Sequence, residues 1–444
     1  MRVLTRLTPA AALLLVASWG RAEEPNAAGA ARRSARTFIP TARLDVNTLS
    51  KLLLERSPGL QDERLRLDLA GTDTRQSRLY DNPQLDGSWA TIPIGETNPA
   101  GLQKPLANVP NYSVGVSYRF LLGKRGPRIE RAQALERSAR QNLVAATRRE
   151  AFQLAGVIGA VAAASLRIER LRTLLDEGKG SLDVARARMS AGSGTPLEVD
   201  RLEIELSRVA QQVLASEGDL AAALSLCSGF VGMPCVAFPS TEEGKKFLLG
   251  FADGVRDANV DVERRPDVQA LEADRAAAAS ERELARAQAL PDPTVRLGYT
   301  NDRFVAAGNQ ENSLNVSVAL PLALLDRGQA QVAAAEAKEN RARLQRELLT
   351  DAARARIDAL RLVLQAIARR QRVLETEMLP RARAVVNDLE RAVGSRLIPV
   401  TDLIQARRTL AELLLEEIDA FGDAFRASVE LMGELGLTEL GGGR

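Results

Sequence analysis

Cys227 and Cys235 are the one pair of reactive side chains at short spacing in this 444-residue chain, separated by SGFVGMP. A thiol pair can hold a metal, stay reduced or close a disulfide. A metal needs further soft or imidazole donors, and the chain has no histidine. In an exported chain a close pair at a Gly/Pro-bearing turn favours a disulfide over two free thiols. No Gly-rich phosphate loop follows a strand, and no acid pair is set in a compact pocket. Neither catalytic residues nor a cofactor or metal site are therefore expected, and an enzyme has nothing to stand on. The acids Glu203, Glu205 and Asp219 and the arginine pairs Arg148-Arg149 and Arg369-Arg370 read as solvated helix faces. With 60 basic and 57 acidic residues interspersed, the net charge of +3 describes no nucleic-acid surface.

Export is written at the N-terminus. Arg2 and Arg6 precede an apolar run from Leu7 to Trp19 and then Gly20-Arg21-Ala22, the pattern of a signal peptide over 1–22 with cleavage after Ala22. No cysteine follows the site to carry a lipid. A flexible segment is expected over 23–44 and a flexible tail over 438–444. No other stretch approaches eighteen uninterrupted apolar residues, which argues against a helical membrane protein.

The elements that must position these residues are written twice. NPQLDGSWATI and NYSVGVSYRFLLGKRG lie within 82–126, and DPTVRLGYTNDRF and SLNVSVALPLALLDRG lie within 292–328. Val114, Val116, Tyr118 and Phe120 alternate with Ser113, Gly115, Ser117 and Arg119, the period-2 pattern of a strand with one apolar and one wet face. Apart from Trp19 the only Trp is Trp89, and Tyr80, Tyr112, Tyr118 and Tyr299 lie in or beside these segments. Aromatics with polar tips suit the boundary between membrane and water. The loop near 91–110, with Pro93, Pro99, Pro105 and Pro110, cannot be a strand interior.

Each strand pair feeds a very long Ala/Leu/Arg-rich helix. The first runs from KRGP (124–127) to about Met189, roughly 93 Å at 1.5 Å per residue, and the second from Asp326-Arg327-Gly328 to about Val393. Leu348, Ala352, Ala355, Ala359, Leu362 and Ala366 step by four and three, as a packed seam does. Pro380 should kink or divide this helix. Both helices reverse at turns, AGSGTPLEVDRLEIEL (191–206) and GSRLIPVTDLIQARRTL (394–410), where Gly releases a helix and Pro suits a restart. An interrupted helix over 44–80 precedes the first strand pair. The chain thus divides into a first repeat (45–240), a mixed segment (241–265) and a second repeat (266–437).

Four strands cannot close a barrel with a lumen, and open edges in lipid would leave amides unpaired. Other copies of the chain must close them. Two copies give eight strands, whose interior fills, and three give twelve with a channel, so a homotrimer is expected. The fold class is mainly α with a small β part: a long α-helical coiled-coil barrel plus four strands per chain in a trimeric twelve-stranded outer-membrane β-barrel.

These residues resemble the TolC-like outer-membrane factor family over about Leu44 to Leu437. LPLALLDRG (320–328) matches a strand-to-helix junction of that family, and AGSGTPLEVDRLE and IPVTDLIQA match its two turns. The texture is similar to the heavy-metal efflux branch. The resemblance implies the exit duct of a tripartite efflux or type I secretion system in the outer membrane of a Gram-negative bacterium. Its helical tunnel would cross the periplasm, with outer-membrane lipid, a periplasmic adaptor (membrane fusion) protein and an inner-membrane efflux pump as partners. It places adaptor contacts at Gly192, Gly194, Pro196, Glu198, Arg396 and Pro399, and a pore constriction at Asp402 and Gln405. The chain departs from the family pattern in three places. Arg396 replaces the second-turn Gly, Gln405 a second constricting aspartate, and Val393 the Tyr that latches the closed tip. The residues of Asp402's own neighbourhood also fit a plain helix start. A rival reading is an exported periplasmic coiled-coil tether without a pore, which has no use for alternating strands ending in Tyr and Trp.

Overall fold

The computed structural model describes residues 37–92, 94, 103–253, 261–303, 310–394 and 400–436. The signal peptide, the expected C-terminal tail, Arg396 and Pro399 lie outside the described residues.

Helix α1 (Val46–Arg56) starts where Asp45 accepts the Thr48 amide at 2.7 Å, and it stops at Ser57, which is extended. Pro58 follows, and the residue before a proline is steered away from helical angles. Helix α2 (Gly59–Ser77) leads to strand β1 (Gln84–Ala90), a short helix α3 (Pro105–Asn108) and strand β2 (Asn111–Arg119). The proline-rich loop thus carries one turn of helix, opened by Pro105.

Helix α4 (Arg125–Ser190) has 66 residues. It turns into α5 (Pro196–Val231), followed by α6 (Thr241–Asp253) and α7 (Pro266–Gln288). The second copy then runs through β3 (Thr294–Asp302), β4 (Asn312–Ala319), α8 (Gln329–Val373), α9 (Leu379–Gly394) and α10 (Val400–Leu435).

Pro380 does not break the second long helix. One π turn, Leu374–Met378, precedes it and joins α8 to α9. A proline removes the amide that would bond four residues back and its ring crowds that carbonyl; a wider turn relieves both. The Thr376 hydroxyl meanwhile donates to the Arg372 carbonyl at 2.7 Å.

The seam expected on α8 is not the face packed within the chain. Ala353, Ile357, Leu360 and Leu364 are buried, while Leu348 and Leu362 are 61% and 66% exposed. Helix α8 carries two apolar stripes, and α7 and α10 cover the one that spacing did not single out.

The main core forms where α1, α4, α6, α8 and α10 meet, around Leu49, Ile158, Phe247, Leu360 and Phe425. The rings of Phe247 and Phe425 lie 5.2 Å apart. Among the described residues two helices, α4 and α5, are long and apolar enough to cross a membrane by length and composition. Leu154, Ala155, Ile158, Val161 and Ala162 of α4 are buried in that core.

Of the segment expected to be flexible over 23–44, the described end is held in place. Phe38 bridges to Cys235, donating its amide to the Pro234 carbonyl at 2.8 Å and accepting from Val236 at 3.1 Å.

Candidate functional site

The four strands form one antiparallel sheet in the order β1-β2-β3-β4, so the first copy joins the second directly and β1 and β4 are its edges. The register aligns the faces across all four. Leu85, Val116, Leu297 and Val316 make one row, and Trp89 faces Tyr112 with stacked rings 6.3 Å apart. On the opposite face Ser88, Ser113, Thr300 and Ser313 make another row, with the Ser88 and Ser113 hydroxyls 2.8 Å apart. Among the described residues nothing covers the apolar face: Leu314 and Val316 are 77% and 70% exposed.

Arg296 on β3 reaches over β2 to Asp86 on β1. Its Nε and Nη2 donate to Asp86 Oδ2 at 2.8 and 2.5 Å. Sequence reasoning missed this pair, whose members lie 210 residues apart.

The strand-to-helix junctions are also joined. Lys124 Nζ lies 2.7 Å from Asp292 and donates to the Leu290 carbonyl at 3.0 Å, and the Leu122 amide donates to Asp292 at 3.2 Å. Arg125 donates to the Arg78 carbonyl at 3.0 Å and sits 4.4 Å from the Tyr80 ring centre. Cations near a helix C-terminus satisfy its last carbonyls, so the basic KRGP turn does more than open α4.

At the far end of α4 the first turn closes as a helix stop. Gly192 has φ +71°, a conformation costly for side-chained residues, and Ser193 donates to the Arg188 carbonyl at 2.9 Å. A Cβ at Gly194 would fall 2.9 Å from the Met189 nitrogen, so only glycine passes under the helix end. Thr195 and Glu198 then form a capping box: Glu198 N donates to Thr195 Oγ1 at 3.3 Å and Thr195 N to Glu198 Oε2 at 3.4 Å. Pro196 occupies the first helical turn. These bonds tie Glu198 to the turn itself.

Described residues of the helices flanking the second turn pack beside the first. Ile404 packs both on the cluster of Leu182, Ala185, Val199 and Leu202 and on the cluster of Val386, Val393 and Leu403. Asp402 is in the first turn of α10, and both it and Gln405 are exposed. Val393 is a buried apolar contact. Arg407 supplies a polar link. It donates to Ser181 Oγ and, at 3.4 Å, to the Glu177 carbonyl on α4, and pairs with Glu390 on α9 at 2.6 Å.

Cys227 and Cys235 are joined in a disulfide with their Cα atoms 6.0 Å apart. It closes the C-terminus of α5, where Ser228 Oγ accepts the Cys235 amide at 2.9 Å. Among the described residues no cluster of His, Cys, Asp or Glu could hold a metal.

Arg148 is not on a solvated face. It lines a cavity of about 440 Å³ where α4, α7, α8 and α10 converge. Burial pushes its guanidinium below the ordinary value, with Asp267 opposing and Arg265 adding to that effect. Arg265 pairs with Asp267 at 2.7 Å and Glu434 at 2.5 Å. Burial, the largest single influence, favours the neutral form of Asp267, yet the hydrogen bonds and charge of Arg265 together with backbone amides outweigh it and hold the carboxyl below its ordinary range.

A model of the family described as "Outer membrane efflux protein" matches residues 49–225 and 261–437, one match for each copy of the design. Among curated proteins none matches this chain by sequence. Solved structures do. The outer-membrane channel OprN is 19% identical, with a TM-score of 0.69 over 88% of this chain and 89% of that one. CusC is 16% identical, with a TM-score of 0.71 over 90% and 94%. VceC from Vibrio cholerae is 19% identical, with a TM-score of 0.68 over 88% and 96%. At these identities the likeness shows the fold: long paired helices carrying a small antiparallel sheet.

Proposed function

Because the chain belongs to the outer membrane efflux protein family and is thereby an outer-membrane channel and not an enzyme, we propose that it is the exit duct of a tripartite efflux or type I secretion system. It works as a homotrimer. A periplasmic adaptor docks on the turns around Gly192, Gly194, Pro196 and Glu198, with Arg396 and Pro399 completing the surface, and an inner-membrane pump supplies the cargo. Asp402 and Gln405 line the mouth of the tip.

The observation that carries this reading is the sheet. One face carries Leu85, Val116, Leu297 and Val316 across all four strands, and the other carries polar residues and glycine. Among the described residues neither edge strand has a further partner. In lipid each unpaired edge group is costly, and three such sheets joined edge to edge give twelve strands, enough to leave a lumen. The apolar stripe with Leu348 and Leu362 on α8 is free to pack against a neighbouring copy.

Such a duct selects little by itself, so the pump sets the cargo. Native mass measurement of detergent-extracted protein should give a trimer. A monomer, or release from membranes by salt alone, would instead indicate the periplasmic tether.

A further inference from the structure

Asp86 and Arg296 hold the same place in the two copies. NPQLD (82–86) aligns with DPTVR (292–296), and each charged residue is the third of its strand. Their registers agree: Gln84 faces Ser117 in the first strand pair as Thr294 faces Ala319 in the second. The duplication has therefore put an acid in one copy and a base in the other at equivalent positions, in adjacent rows of the same face of the sheet. Both strands leave a helix just before these rows, since β1 follows α2 and β3 follows α7. The charges consequently lie at the helix-facing end of the wet face.

Two glycines make the contact. Gly115 and Gly298 face one another across β2 and β3, and the guanidinium lies over both. A Cβ on either would come within 2.7 Å of its nitrogens. The side chains of Asp86 and Arg296 stay 42% and 28% exposed, so the pair lies against the strands and still faces open space.

We propose that Asp86 and Arg296 form a belt of alternating charge around the base of the barrel lumen, three of each sign in the trimer. The belt fixes β1 against β3 and leaves this level of the pore without net charge. This inference rests on the trimeric duct proposed above. Neutralising one sign leaves three like charges facing the lumen, and such a ring draws in counter-ions. The two neutralisations must then shift ion selectivity in opposite directions. A purely structural role would weaken assembly in both and give no such opposition.

The test uses full-length trimers in planar bilayers under a KCl gradient at about 10 mM, where the screening length of ~30 Å lets a charged ring act across a lumen. Asp86→Asn should move the reversal potential toward chloride and Arg296→Gln toward potassium. The double exchange Asp86→Arg with Arg296→Asp should restore the wild-type value. Conducting single variants with unchanged potentials, or with shifts of the same sign, overturn the belt. If a single variant does not assemble, failure of the double exchange to recover the trimer also overturns it. Failure of the duct reading looks different, because the wild-type protein is then monomeric and does not conduct.

Discussion

Arg407 on α10 reaches α4, donating to the Ser181 hydroxyl and to the main-chain carbonyl of Glu177 at 3.4 Å. With Glu390 of α9 on its other nitrogen, one guanidinium ties the second tip hairpin to the first. Val393 supplies only apolar packing in the same region. Among the described residues α10 carries polar contacts between the two hairpins, through Arg407 and also through Arg408, which lies 3.8 Å from Glu205 on α5.

Arg407→Ala should loosen the tip without unfolding the helices. The side chain is 32% exposed, so screening trims the loss to about 1 kcal/mol, roughly a fivefold shift in an open–closed equilibrium. Single-channel recording should show more open time. Unchanged gating with unchanged thermal stability would remove the restraint.

Gly192 separates shape from docking. Nothing lies within 4 Å of a Cβ built there, and φ is +71°, so Gly192→Ala costs about 1–2 kcal/mol in backbone strain and meets no clash. Gly192→Trp carries the same strain plus bulk that projects outward. If the adaptor docks here, trimer yield is equal in the two variants and only Trp abolishes transport. Full complementation of an efflux-deficient strain by the Trp variant refutes the docking surface.

Asp267 gives a pH signature. Burial acts to raise the pKa of its carboxyl, but the hydrogen bonds and charge of Arg265 together with backbone amides hold it below the ordinary value of 3.8. A lowered folded value means the stabilisation is complete above 3.8 and fades as pH falls through the folded value. Asp267→Asn should cost about 1.5–3 kcal/mol at pH 7, as loss of a charge-assisted bond does, and the gap should close in acid. Melting curves of both proteins from pH 7 to pH 2 check this; a gap independent of pH points to packing alone.

Period-2 alternation in Tyr112–Phe120 made the strand faces legible, because a one-residue slip would turn every apolar side chain to the wet side. Helix ends were legible from Gly192, Pro196 and the cysteine turn. The α8 seam was not. Leu348 and Ile357 both fit helical spacing, and only the positions of α7 and α10 decide which one is covered. The Arg407–Ser181, Arg296–Asp86 and Arg265–Glu434 links span 226, 210 and 169 residues, so no local pattern could carry them. Arg148-Arg149 looked like any solvated pair because burial of the first depends on α7 and α10 arriving beside it.

In the duct proposed above, Asp402 would bear on ion passage at the end opposite the proposed barrel belt. It lies in the first turn of α10 and is exposed, so it has two available roles. A carboxylate there interacts favourably with the helix dipole, by about 0.3–1 kcal/mol at an exposed site. In a threefold mouth the same three carboxylates also form a negative ring that gathers cations and resists anions. Asp402→Asn retains a side chain that can hydrogen-bond at a helix start and removes only the charge. Cation preference in a planar bilayer should therefore fall, and block by multivalent cations should weaken, with little change in melting temperature. Glu198→Gln should do less to selectivity, because Glu198 is engaged in the capping box with Thr195. Unchanged selectivity and unchanged block in the Asp402 variant would leave only the helix-start role.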